Sequence, residues 1–233
     1  MPDRRAAYLD ALGIVAYAPK QATPSAGPPD APAHADPTVL GWEELAAAVH
    51  ACQRCELCKS RTQAVFGVGD RQARLMIVGE APGAEEDRQG EPFVGRAGKL
   101  LTSMIRALGL EREDVFIANV VKCRPPGNRD PRPGEAASCR TFLERQVALV
   151  NPTLVVAVGR IAAQNLLATE TPIAKLRGKV HAFGPQSWPL LVTYHPAYLL
   201  RSPSEKRKAW QDLLQARQLF ERLQREAAAG APR

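Results

Sequence analysis

The chain lacks any run of about 18 apolar residues, so no segment of it is suited to crossing a bilayer as a helix. Its opening MPDRRAAYLD also lacks the apolar stretch of a secretory signal. An even cysteine complement is missing too: the five thiols are Cys52, Cys55, Cys58, Cys123 and Cys139. An odd count outside an oxidising compartment argues against a disulfide framework and for metal ligation. The expected location is the cytoplasm, with no membrane partner. What the chain does have is size and positive charge. Its 233 residues suit a single domain with extensions, and 45% hydrophobic residues are enough for a real core. The 31 Lys and Arg against 24 Asp and Glu leave a net charge of +7, which suits a polyanionic partner but decides little alone.

Residues 18–40 are rich in Ala and Pro and read as an extended, semi-rigid linker, because such a segment neither forms a ladder nor buries a face. Ahead of it, residues 1–17 carry Tyr8, Leu9, Leu12 and Ile14. They read as a short amphipathic helix, either docked on the domain or offered as a recognition peptide to a partner protein. The globular domain is expected over 41–228, with 229–233 as a tail.

Buried strands are expected at 75–78, 115–120, 154–158 and 190–194. Helical spacing covers 96–108, 135–150, 161–168 and about 204–225, the last with Trp210, Leu213, Leu214 and Phe220 on its apolar face. Strands alternating with helices imply an α/β fold, a three-layer α/β/α sandwich with a central four-stranded parallel sheet. Open parallel sheets bind ligands beyond the carboxyl ends of their strands. The residues at those ends are Glu80, Ala81, Pro82 and Gly83, then Asn119, Gly159 and His195 with Pro196.

Cys52-x-x-Cys55 joined by Cys123 and Cys139 supplies four thiolates from separated segments. Four such ligands enclose either tetrahedral zinc or an iron–sulfur cluster, and spacing alone does not choose. The second pair is not a tight knuckle, which weakens a zinc finger. Cys58 extends the run to CxxCxxC and is able to replace Cys55 as a ligand. The bland alternative is that some of these thiols are buried apolar residues.

Gly79-Glu80-Ala81-Pro82-Gly83 sits where the first strand ends, followed by Glu85, Glu86 and Asp87 and then by Phe93 in a PFVG corner. An aromatic in a glycine-flanked loop above a polar site makes a stacking platform for a planar base. Taken alone, Phe93 reads as an ordinary core aromatic and the acidic triplet as a solvated helix start. The carboxamide of Asn119 offers one donor and one acceptor, matching the adjacent N–H and carbonyl of a pyrimidine edge. Lys122, Arg124, Arg129 and Arg132 follow, a basic stretch suited to phosphates. After the last strand His195 precedes Leu199, Leu200 and Arg201, and apolar wedges beside cations are how proteins enter stacked DNA.

GEAPG, EED with PFVGRAG, NVVKCRPP and HPAYLLR, in this order and with these cysteines, resemble the family 4 (iron–sulfur) uracil-DNA glycosylases over roughly residues 51–210. The resemblance implies an α/β/α sandwich and a monofunctional enzyme that removes uracil from single- and double-stranded DNA to start base excision repair. It implies a 4Fe-4S cluster on Cys52, Cys55, Cys123 and Cys139, leaving Cys58 free. It places Phe93 on the flipped uracil, Asn119 on its Watson–Crick edge and His195 on the departing anion. Gly79, Ala81, Pro82 and Gly83 would line the uracil site, and Glu86 would fill the space a thymine methyl needs. Leu199 would occupy the gap in the stack, with Arg201 near the phosphates; Lys122 and Arg124 are assigned to the DNA side from the basic stretch itself.

One absence shapes the expected chemistry. The family 1 enzymes carry an Asp in this strand-end motif to position water; here the residue is Ala81, leaving Glu80 or a backbone carbonyl for that task. No Lys is placed as a Schiff-base nucleophile, so base removal without strand cleavage is expected. A covalent uracil-DNA binder would carry a basic insertion with a reactive His after the first motif, and AEEDRQGEPFVG has neither. A cluster-bearing protein that binds nucleic acid without chemistry leaves Phe93, Asn119 and His195 unexplained. Against the related family of broader base range stands Glu80 in GEAPG. The expected state is a nucleoid-associated monomer, with a repair or replication protein as the candidate partner of residues 1–17.

Overall fold

Four apolar runs, each bounded by turn residues, form strands buried on both faces and set the frame of the molecule. A computed structural model describes residues 36–230. Its strands are β1 (Val68–Gly69), β2 (Leu75–Gly79), β3 (Phe116–Asn119), β4 (Leu154–Val158), β5 (His181–Phe183) and β6 (Trp188–Thr193). They lie in the order β1-β3-β2-β4-β6-β5. The inner four are parallel, as the sequence implies, and β1 and β5 add short antiparallel edges. Two- and three-residue edge strands carry too little periodicity to be read in advance, and their shortness protects the sheet from further pairing.

The helices are α1 (Trp42–His50), α2 (Ala84–Gln89), α3 (Arg96–Ala107), α4 (Pro133–Val150), α5 (Arg160–Leu167), α6 (Ile173–Leu176), α7 (Pro196–Arg201) and α8 (Lys206–Gly230). Strand side chains alternate between two cores. Met76, Val78, Phe116, Ala157 and Val192 face α1, α4 and α5 through Leu45, Val49, Phe142, Val147 and Ala163. Leu75, Ile77, Ile117, Val156 and Leu191 face α3 and α8 through Leu101, Ile105, Leu213, Ala216 and Phe220. The result is the three-layer sandwich.

Three expectations need correction. The domain begins earlier than residue 41: Asp36 caps a 3-10 turn at Pro37–Val39, Pro37 is buried, and Arg145 Nε donates to the Leu40 carbonyl at 2.7 Å. The last helix continues to Gly230, so residue 229 is not the start of a tail. Its buried face is Ala209, Leu213, Ala216, Leu219 and Phe220, while Trp210 and Leu214 are exposed. Each stands one residue past a buried position, Ala209 and Leu213, and so about 100° round the helix from the contact stripe. The expectations for residues 1–17 and for most of 18–40 lie outside the described residues. No helix among the described residues is long and apolar enough to cross a membrane.

Candidate active site

Register decides what meets. Gly79 pairs with Asn119, Val78 with Ala157 and Val158 with Thr193, so the carboxyl ends of β2, β3, β4 and β6 finish at one level. Beyond that edge lies a cavity of about 710 Å³. It is lined by Glu80, Ala81, Pro82, Gly83 and Glu86 from the loop after β2, and by Phe93, Asn119, His195 and Arg201. These residues are far apart in sequence, and the sheet brings them together.

Phe93 adopts φ +56°, a left-handed conformation that a bulky residue avoids. Such a residue costs about 1–3 kcal/mol and persists only where its surroundings over-determine it. They do here. Glu86 Oε1 accepts from the N–H groups of Val94 (3.0 Å) and Gly95 (3.1 Å), and its Oε2 accepts from Gly83 (3.1 Å). Glu86 therefore staples the corner that presents the Phe93 ring as well as lining the cavity. A Cβ on Gly98, in α3, would meet the Phe93 carbonyl oxygen at 1.7 Å.

Gly79 lies beneath both base-facing groups. A Cβ there would stand 2.4 Å from Asn119 Oδ1 and 2.5 Å from Phe93 Cζ. Gly79→Ala is expected to lower turnover about 100-fold with the sheet intact, because misplacing a reacting partner by about an ångström has that effect. Single-turnover kinetics beside a thermal melt would check it. Asn119 is almost wholly buried, and its Oδ1 has no hydrogen-bond partner among the described residues. An unpaired buried acceptor costs about 1–3 kcal/mol, so its retention points to a donor that arrives with a ligand.

His195 caps α7: its Nδ1 accepts from the Ala197 N–H at 3.1 Å. An accepting Nδ1 carries no proton, which leaves the proton on Nε2. Burial, reinforced by the Arg201 charge, pushes the imidazole pKa down to about 4, against the weaker pull of Glu86. The ring is thus neutral at physiological pH, with Nε2–H as a donor. Its centroid lies 5.6 Å from that of Phe93. A Cβ on Gly159, at φ +101°, would press on His195 Cβ at 2.9 Å, so glycine is required there. Behind the loop, Asp212 binds Arg177 (2.7 and 2.8 Å) and the Thr193 hydroxyl (2.8 Å), tying the end of β6 to α8.

Glu80 lies against Asp130 and Arg160, which pair with each other at 2.6 Å. Burial and the neighbouring Asp130 push the Glu80 carboxyl up to about 7, against the pull of Arg160. Asp130, Arg160, Tyr194 and Tyr198 line the same cavity and were not singled out from the sequence. Arg160 and Tyr194 adjoin strand ends already marked, a signal that was available; Asp130 sits in a proline-rich loop and gave none.

Two residues expected on the DNA side are elsewhere. Lys122 is 1% exposed; its Nζ donates to the Asn119 carbonyl at 2.8 Å and to Gln146 Oε1. It fixes the backbone at Asn119 and has no access to phosphates. Leu199 is 2% exposed and packs in the core beneath α7, since the helix turns that position toward the sheet. Leu200 is the exposed leucine of this helix. Arg124 bonds Asn128 Oδ1 at 2.8 Å, and Arg129 is held in a two-point pair by Glu135. Arg201 is exposed at the cavity.

The cysteines gather at a second place. Cys52, Cys55, Cys58, Cys123 and Cys139 line one small cavity with Val49, Phe142, the cationic Arg54 and Arg61, and Lys122, whose ammonium pKa is pushed down by burial to about 7. Arg61 Nη1 donates to Cys123 Sγ at 2.8 Å, and the Arg54 N–H to Cys52 Sγ at 3.5 Å. Burial raises the Cys55 and Cys123 thiols and pushes Cys139 up to about 11. Among the described residues, no group of three His, Cys, Asp or Glu is arranged to hold a single metal ion.

An α/β/α sheet with a hydrogen-bonding cavity at its strand ends defines a class, and the sequence comparison agrees: a model of the uracil DNA glycosylase superfamily matches residues 66–214. A curated type-4 uracil-DNA glycosylase of Archaeoglobus fulgidus is 46% identical over 69% of this chain and 84% of its own length. One of Sulfurisphaera tokodaii is 43% identical over 76% and 84%. A type-5 enzyme of Thermus thermophilus is 32% identical over 68% and 80%. The chain belongs to the type-4 uracil-DNA glycosylase family.

Proposed function

We propose that this protein hydrolyses the N-glycosidic bond of deoxyuridine in DNA, releasing uracil and leaving an abasic site for base excision repair. The observation that carries the reading is the orphan acceptor of Asn119, at the cavity that Phe93 and His195 also line. Uracil presents an N3–H donor to that acceptor and a planar face to the ring. The deoxyuridine enters flipped from the duplex, or from a single strand where unstacking is cheaper.

As the bond from C1′ to the base breaks, its electron pair moves onto uracil and positive charge develops on the sugar. The neutral His195 donates a hydrogen bond from Nε2 to the developing anion, and the backbone N–H groups of Glu80 and Ala81 add to it. Water then adds at C1′ and gives up a proton. Glu80 is the carboxylate at the cavity able to orient that water and take the proton, in its ionised form. Since Glu80 titrates near 7, the single-turnover rate is expected to rise as pH increases through about 7. Glu80→Gln would flatten that limb; a limb that survives the substitution removes the role. Arg201, with Arg124 beside the cavity, faces the phosphates, and Leu200 is the apolar side chain free to enter the stack.

The second cavity suits a 4Fe-4S cluster held by Cys52, Cys55, Cys123 and Cys139, with Cys58 beside it. The donor set is all thiol, the thiols surround a space instead of a point, and Arg61 and Lys122 balance thiolate charge. Raised thiol pKa values mean that binding must displace protons, so affinity falls as pH falls. Such a group would tie the segment after α1 to α4 and to the loop after β3, a structural task. Cys139→Ser is expected to reduce bound iron to a small fraction of the parent's, read by iron analysis and visible absorbance; full iron content would overturn the assignment.

The function itself is tested with an end-labelled oligonucleotide bearing one uracil. Cleavage only after alkali supports a monofunctional glycosylase. Cleavage without alkali overturns monofunctionality, and no cleavage from iron-replete protein overturns the reaction.

A further inference from the structure

Phe93 is gripped from two sides. Glu86 holds the N–H groups that follow it. The carbonyl that precedes it, that of Pro92, accepts a hydrogen bond from Arg112 Nη2 at 2.6 Å. Arg112 comes from the 3-10 turn Arg112–Asp114 ahead of β3, about twenty residues away in sequence. The Pro92 carbonyl belongs to the peptide plane about which φ of Phe93 turns. Fixing that plane limits how far the +56° torsion is able to relax. Gly98 fixes the other end of the residue, at the Phe93 carbonyl.

Arg112 is an expensive way to cover a loop. Its Nη1 is buried with no hydrogen-bond partner among the described residues. A buried cationic donor left unpaired opposes folding. Glu91, Glu113 and Glu86 supply negative charge that only partly offsets its burial. An apolar side chain of similar length would shield the same corner without these penalties, and replacing buried charge by packed apolar groups is often neutral or stabilising. Stability alone therefore does not account for Arg112, whereas the bond to Pro92 does.

We propose that Arg112 is a positioning residue for base excision: by holding the Pro92 carbonyl it keeps Phe93 in its left-handed conformation and its ring at the height where a flipped pyrimidine stacks. The inference rests on the platform role of Phe93 given above. It assigns Arg112 no contact with substrate, so its whole effect passes through Phe93.

That last point makes it testable by a double-mutant cycle of Arg112→Met, Phe93→Leu and the pair. Arg112→Met is expected to melt at or above the parent temperature while single-turnover uracil release falls about tenfold or more and inhibition by free uracil weakens. The double variant is expected to excise at the rate of Phe93→Leu alone. Rate factors that multiply, with Phe93→Leu impaired, overturn the Arg112 role and leave the platform standing. A Phe93→Leu variant at the parent rate overturns the platform, and the inference with it. Arg112→Lys keeps the charge but loses the planar fork. It runs through the same cycle should the methionine variant not fold, with the same two outcomes read the same way.

Discussion

His195→Ala is expected to slow single-turnover release of uracil about 100- to 1000-fold while leaving affinity for uracil-containing DNA nearly unchanged. The size follows from removing one preorganised donor aimed at charge that exists only in the transition state. Three features make that donor effective. The Ala197 N–H occupies Nδ1, so the proton sits on Nε2. Burial holds the pKa near 4, so the ring enters the reaction neutral and keeps the same charge across the working range. Gly159 leaves the space the imidazole fills. Because the folded-state pKa lies below the ordinary histidine value, protonation sets in only as pH falls toward 4. The His195 contribution should therefore be flat above about pH 5, and the ascending limb near 7 should belong to Glu80. A His195→Ala enzyme with the parent's single-turnover rate would remove the leaving-group role; an equal loss in DNA affinity would make it a binding residue.

Asn119→Asp is expected to lower uracil excision by about four orders of magnitude, the scale on which sites built for hydrogen bonding reject a mismatched partner. The change replaces one donor and one acceptor by two acceptors when ionised. Uracil O4 would then face a carboxylate oxygen in a buried site, where repulsion is weakly screened. The position of Asn119 at the sheet edge is fixed by its register with Gly79 and by the Lys122 hydrogen bond to its backbone carbonyl. On the proposed reading the same orphan acceptor would reject cytosine, whose N3 brings a lone pair where uracil brings an N–H. Excision of uracil at the parent rate by Asn119→Asp would sink the reading of the edge. Loss of both excision and folded structure would be separated by a melt, with Asn119→Ala as the second variant.

The parallel core was legible because its signal is local. Residues 75–78 and 154–158 are apolar runs closed by glycine, and the structure places strands over both. The site was legible for a related reason: in an open parallel sheet the chain must deliver the residues after each strand to one edge. Glu80, Asn119 and His195 therefore meet whatever the loops do. Phe93 was marked by its glycine-flanked corner, although nothing in the sequence states that its φ is positive. The cysteines were legible as one group by residue type, and they do share a cavity.

What the sequence by itself determined is thus the layer order, the four parallel strands and the chemical types gathered at the strand ends. Periodicity names a face, and strand polarity names an edge. Only the tertiary structure decided which neighbour covers each face. Leu199 and Leu200 are adjacent in a polar, cation-flanked motif, yet one is in the core and the other in solvent. Lys122 sits in a basic stretch but is buried, where Gln146 Oε1 and the Asn119 carbonyl accept hydrogen bonds from its Nζ. Trp210 and Leu214 belong to an amphipathic helix whose contact stripe runs through Ala209 and Ala216 instead. Arg112 reaches Pro92 from a different segment of the chain. In each case the deciding quantity is a desolvation balance between groups distant in sequence, and that balance exists only once the chain has folded.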